Sequence, residues 1–169
     1  LPPASKKADA EGLKLLSEGS YDEAVSAFDR SLRLARNNPR ARANRGVAFA
    51  HLGRLDEALK DYEGALNMAS ELKPALKGPI VDARVRRGHG RFDGGDVTGA
   101  LGDFYTAIRT NPRDPRGYEA VAEAARKTGQ PDTCVRYGSR ALELGAESAH
   151  VLSDRAGCLA TLGRKEEAL

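Results

Sequence analysis

The chain has 169 residues, of which 40% are hydrophobic, 30% charged and 5% aromatic, with no tryptophan; the balance suits a folded helical protein rich in Ala, Leu and Arg. No apolar run approaches the roughly 18 residues that span a bilayer, and "LPPASKKADA" lacks the apolar stretch of a signal peptide, so neither is expected. The net charge of +3 is unevenly spread: Lys73, Lys77, Arg84, Arg86, Arg87 and Arg91 face Asp82 alone between residues 73 and 91, where an electrostatic partner would be felt.

The first segment with a pattern is "GSYDEAVSAFDRSL", Gly19 to Leu32, and nearly the same letters return 34 residues later as "GRLDEALKDYEGAL", Gly53 to Leu66. A turn glycine recurs at Gly19, Gly53, Gly95, Gly129 and Gly163, each followed five places on by a small residue: Ala24, Ala58, Ala100, Cys134 and Ala168. The steps are 34, 42, 34 and 34, so one interval carries eight extra residues. Self-similarity at this period marks a repeat array. The units run 5–38, 39–72, 81–114 and 115–148, with a partial 149–169 and an insertion at 73–80, all in one array. Because Leu1 is not an initiator Met and the last copy stops within its second helix, the chain is expected to be a fragment of a longer one.

The second unit shows why each copy should be a pair of antiparallel helices. In "PRARANRGVAFAHL" Pro39 stands where a missing N–H costs nothing, and Gly53 supplies the left-handed stop. "LDEALKDYEGALNMASEL" then places Leu55, Ala58, Leu59, Tyr62, Ala65 and Leu66 on one stripe, with Asp56 and Glu57 at the positive end of the helix dipole. Gly46 lies mid-helix, where glycine costs about 1 kcal/mol relative to Ala, so a neighbouring helix must approach closely there. Gly12 and Gly88 are its equivalents, and Ala122 and Ala156 take the place later.

In the insertion, Pro74 and the Gly78-Pro79 pair argue for a loop that acts as a spacer. In the third unit, Arg84, Arg87 and Arg91 occupy the face that should pack inward. Buried without partners they would be very costly, so either the helix is rotated or the heads reach solvent or carboxylates such as Asp61 and Glu63, a solvated and partly paired basic face. In the fourth, Cys134 replaces the recurring alanine and reads as a packed thiol. Two cysteines give no disulfide framework, which fits a reducing, cytoplasmic compartment.

Gly12, Leu15, Gly19, Tyr21, Ala24, Phe28 and Leu32, then Gly46, Phe49, Gly53, Leu55, Ala58, Tyr62, Ala65 and Leu66, then Gly88, Gly95, Ala100, Phe104, Ala107, Ile108 and Pro112, resemble the tetratricopeptide repeat pattern. The resemblance covers nearly the whole chain. It implies an all-α fold, a right-handed α-α superhelix of antiparallel helix pairs, whose first helices line a concave groove for an extended peptide or partner helix. Carried onto this sequence, the groove set is Lys6, Arg40, Asn44, Val47, His51, Val85, Arg86, His89, Arg116, Glu123 and Arg126. Arg86 with Asn44, Arg40 and His89 is expected to form the central contact surface.

A groove with cations in its middle favours an acidic or C-terminal peptide. The chaperone-binding members of the family hold the carboxylates of heat-shock protein tails in a clamp; Asn44 and Arg86 match it. Asp9, Leu13 and Asp82 depart from it, and Asp82 in place of a lysine reverses the local Coulomb term.

The function expected is therefore a protein-interaction scaffold or adaptor; the alternative is a regulatory or substrate-recruiting domain of an enzyme or co-chaperone whose active part lies outside these residues. No catalytic residue, metal site or cofactor is expected. His51, His89 and His150 are far apart, Cys158 has no evident base beside it, and "GHGRFDGGD" does not follow a strand as a phosphate-cradling loop would. Nucleic acid is not expected with so few aromatic platforms.

Overall fold

In this computed structural model residues 1–164 are described. Among them are nine α-helices, one 3₁₀ turn and no strand. The helices are α1 (Pro3–Ser17), α2 (Tyr21–Leu34), α3 (Pro39–His51), α4 (Leu55–Met68), α5 (Lys73–Asp93), α6 (Val97–Thr110), α7 (Pro115–Lys127), α8 (Pro131–Glu143) and α9 (Ala149–Thr161). The second helix of the fifth repeat, with Ala168, lies outside the described residues.

The turn glycines do what their spacing requires. Gly19, Gly53, Gly95, Gly129 and Gly163 all have φ between 70° and 87°, the left-handed region that a Cβ disfavours. Each sits in the same double cap: the next residue's N–H reaches back to a carbonyl five residues earlier, as Ser20 to Leu15, Arg54 to Phe49 and Asp96 to Arg91, at 2.8–2.9 Å. The first helices start on Pro39 and Pro115, capped by Asn38 and Asp114, whose side chains accept from the backbone N–H of Ala41 and Arg116.

Contacts divide the chain into two compact units, Leu1–Ala83 and Arg84–Leu169, with the boundary inside α5. In the first, Phe28 of α2 and Tyr62 of α4 are fully buried, and each ring packs closely against a glycine of the preceding helix. A Cβ at Gly12 would stand 2.7 Å from Phe28, and one at Gly46 would stand 2.8 Å from Tyr62. A buried polar seam joins the first three helices. Ser5 and Ser31 hydroxyls meet at 3.0 Å, and the Asn38 amide donates to Asp9 at 2.8 Å while its oxygen caps α3.

In the second unit Gly88 meets Phe104 in the same way. The fourth repeat inverts the scheme, with Gly138 of α8 at the ring position and Ala122 of α7 at the glycine position, so the helices still approach.

Two expectations are corrected. The insertion 73–80 is not a loop: it is the first part of α5, which runs 21 residues with Pro79 inside it, after a 3₁₀ turn at Ser70–Leu72. Pro79 removes one backbone bond and crowds the carbonyl of Ala75. Ala75 is exposed, while Leu76 and Ile80 are buried in the core of the first unit. Burial of two large aliphatic side chains, at about 1.5–3 kcal/mol each, outweighs the proline. The second correction is at Cys134, which is no free thiol. It is joined to Cys158 by a disulfide that ties α8 to α9 across a Cα–Cα distance of 6.4 Å.

Candidate functional site

The first helices carry the predicted groove residues, and each unit presents its own set. In the first unit Lys6 and Arg40 are exposed at the N-terminal ends of α1 and α3, Asn44 is half-buried, and Val47 packs against the core. His51, at the C-terminal end of α3, stacks on Tyr21 with ring centroids 4.4 Å apart and planes 5° from parallel. Leu13 of α1 is 48% exposed and stands one repeat before Val47. Tyr21, the first residue of α2, belongs to the repeat pattern and lies outside the predicted groove set.

In the second unit Val85 also packs against its core, beside Phe104. The arginines around it were the puzzle of the sequence, and the structure resolves it. Asp103 of α6, only 1% exposed, receives all three: Arg84 at 2.9 Å, Arg87 through two nitrogens at 2.9 and 2.6 Å, and Arg91 at 3.0 Å. Burial alone would raise the Asp103 carboxyl, but hydrogen bonds from Arg87 and Arg84 outweigh it and hold the group below the usual carboxylate range. The arginines are paired, though to Asp103 and not to Asp61 or Glu63, and they surround that one buried carboxylate with Arg84 and Arg87 largely covered and Arg91 still 37% exposed. The first unit repeats the device once. Arg45 bonds Asp61 at 2.7 and 2.8 Å and Asp29 at 2.6 Å, and Arg45 and Asp61 are 42 residues before Arg87 and Asp103. In the fourth repeat the same two places hold Val121 and Tyr137.

The rest of the second unit's first-helix face is a web of compensated charge. His89 of α5 lies 5.2 Å from the Phe104 ring, and its Nδ1 is 3.9 Å from Glu123 of α7. Glu123 also receives Lys127 at 2.6 Å, whose ammonium sits 5.5 Å from the centre of the Phe92 ring. Burial raises the Glu123 carboxyl, and the bond from Lys127 with the charges of His89 and Arg126 brings it below its ordinary value. Arg116 is held by its own N-cap, Asp114, at 2.7 Å, and Arg126 by Asp154 of α9, also at 2.7 Å.

Between α7 and α9 lies a cleft of about 350 Å³ lined by Glu119, Ala122, Glu123, Arg126, Ser148, His150, Val151 and Asp154. Here Glu123 and Arg126 of the predicted set come together. Glu119 has no hydrogen-bond or ion-pair partner among the described residues; burial and the neighbouring Asp114 push its carboxyl up. Sequence reasoning missed His150 and Asp154 as wall residues. The signal was present, since His150 is 34 residues after Arg116 and so stands at the equivalent repeat position.

Short antiparallel helix pairs at a fixed period, close-packed through glycine and presenting their first helices around an open cleft, define a helical-repeat interaction protein. Residues 10–75 match the tetratricopeptide repeat family model, and the chain is a tetratricopeptide-repeat protein. It is 30% identical over 165 residues to the tetratricopeptide repeat and J domain-containing co-chaperone DNJ1 of Cryptococcus neoformans, covering 89% of this chain and 29% of that protein. Over 132 residues it is 28% identical to mouse DnaJ homolog subfamily C member 3, covering 78% and 24%. The chain thus spans less than a third of the length of these relatives. A crystal structure of MamA protein superposes with a TM-score of 0.70 at 15% identity, over 99% of this chain and 87% of that one, a likeness of fold. Among the described residues no helix is long and apolar enough to cross a membrane.

Proposed function

We propose that this chain is the peptide-binding module of a co-chaperone-like protein, receiving an extended segment of a partner along its first-helix faces. The fold is a scaffold for protein–protein contact, and the observation that carries the finer reading is the cleft between α7 and α9, walled by residues of the predicted groove rows.

The charge of that wall changes the expected ligand. An acidic peptide drew its support from cations of the groove set, yet two of these are already paired, Arg116 with Asp114 and Arg126 with Asp154. What the cleft leaves unmatched is the Glu119 carboxylate. A segment that inserts a Lys or Arg side chain there relieves a half-buried negative charge, an interaction strong because neither group is then fully solvated. The heat-shock tail, which offers carboxylates, fits this wall poorly.

A peptide array probed with the wild-type chain and with Glu119→Lys tests the reading. Spots rich in Lys and Arg should bind the wild type and fade at least fivefold with the variant; equal binding of both proteins would refute it. Arg86→Glu in the same array tests the expected central surface, whose part in binding requires a changed spot pattern.

The second reading, a recruiting domain for an activity elsewhere in a longer protein, is favoured by the likeness to a J domain-containing co-chaperone and to a DnaJ homolog and by the fraction of their length matched here. A J domain encoded in the same reading frame would establish it. For location, the Cys134–Cys158 disulfide supports an oxidising compartment over the cytoplasm expected from the sequence.

A further inference from the structure

Nearly every arginine of the second unit is committed to a partner, but a group of arginines in the first is not. Among the described residues Arg33, Arg36 and Arg42 make no ion pair or hydrogen bond, and the Arg42 Nε is buried with no acceptor. They belong to one stretch, "RSLRLARNNPRARANR" from Arg30 to Arg45, which holds six arginines and no acid. Of the other three, Arg30 pairs with Glu11 at 2.8 Å, Arg45 is pinned between Asp29 and Asp61, and Arg40 stands exposed at the start of α3.

The fold gathers these charges. Arg33 in the last turn of α2 and Arg36 just beyond it rim an open basin of about 480 Å³, together with Asp29, Leu32 and Arg45. Arg42 lies three residues before Arg45, on the same face of α3. Asp29 and Asp61 neutralise only part of the three arginines that line the basin, leaving one positive charge in excess. None of the basin's lining residues belongs to the predicted groove.

We infer that this α2–α3 corner is a second docking site, taking an acidic peptide segment with clustered Asp or Glu side chains. Planar guanidinium forks match carboxylates in pairs, and Arg33 and Arg36 can turn toward a ligand without breaking an existing bond. The floor that Arg45 provides is held rigid by two carboxylates, so ordering cost on binding falls on the two rim side chains alone. A nucleic acid would share the charge but not the fit: no aromatic side chain lines the basin to stack a base.

Fluorescence anisotropy of a labelled eight-residue Asp/Glu peptide against the whole chain tests this. Arg33→Glu with Arg36→Glu should weaken binding at least tenfold, Arg33→Gln with Arg36→Gln about threefold, and Arg113→Glu, an unpartnered arginine of the second unit, should change nothing. Raising the salt from 0.05 to 0.5 M should weaken the wild type strongly. Circular dichroism confirms folding, and the Gln pair decides if the Glu pair unfolds. Glu119→Lys should leave this binding intact, which separates its failure from that of the cleft. Wild-type affinity in both rim variants would overturn the proposal, as would a single-stranded RNA that outcompetes the acidic peptide at equal charge.

Discussion

At the residue scale, the arrangement of Arg84, Arg87 and Arg91 around Asp103 shows how one acid licenses three cations in an interior. Each arginine is long enough to pack its stem while its head reaches the same carboxylate. Removing the acid strands the others, so Asp103→Asn is expected to cost about 3–5 kcal/mol, measured by denaturant or thermal unfolding. The glycines give a graded counterpart. At Gly46 an added methyl meets the Tyr62 ring at 2.8 Å, whereas at Gly138 the nearest atom is 3.5 Å away. Gly46→Ala should therefore destabilise by about 1–3 kcal/mol despite its better helix propensity, and Gly138→Ala should be neutral or stabilising by up to about 1 kcal/mol.

At the scale of elements, α5 and the α8–α9 hairpin departed from the sequence expectation in opposite ways. Pro79 and Gly78 are strong local punctuation, yet the helix continues through them because Leu76 and Ile80 have a core to enter. The proline remains a local defect, and Pro79→Ala should raise stability by about 1–3 kcal/mol in thermal unfolding. Cys134 and Cys158 are 24 residues apart, too little information for pairing until the hairpin brings their helices together. Closing a loop of that length is worth about 3 kcal/mol in the chain-entropy account. Reduction should lower the melting temperature of the wild type, and a Cys134→Ala, Cys158→Ala protein should melt at the reduced value with or without reductant.

For the molecule as a whole, buried and paired carboxylates set the response to pH. Asp103, Asp114 and Glu123 all titrate below their ordinary values in the folded chain, each because a bonded cation outweighs burial or adds to a backbone donor. Their contribution is fully present above the unfolded values near 4 and is lost as pH falls through the lower folded ones, so stability should drop steeply below about pH 4. Glu119 has the opposite sign. Its raised carboxyl opposes folding once ionised, so Glu119→Gln should stabilise at neutral pH while abolishing preference for cationic peptides at the cleft.

The 34-residue step, the turn glycines and the close-packed small residues were legible in the letters because each depends on local backbone geometry and on a period that repeats it. From them follow the helix pairs and the family. What the letters left open was partnership: which acid receives Arg87, which sulfur meets Cys134, which arginines stay free. Such choices are made between residues distant in sequence, where burial multiplies the strength of a charge and the need to match it. The tertiary structure decides them because a helix's hydrophobic stripe sets its rotation, and that rotation determines which polar side chains must find each other inside.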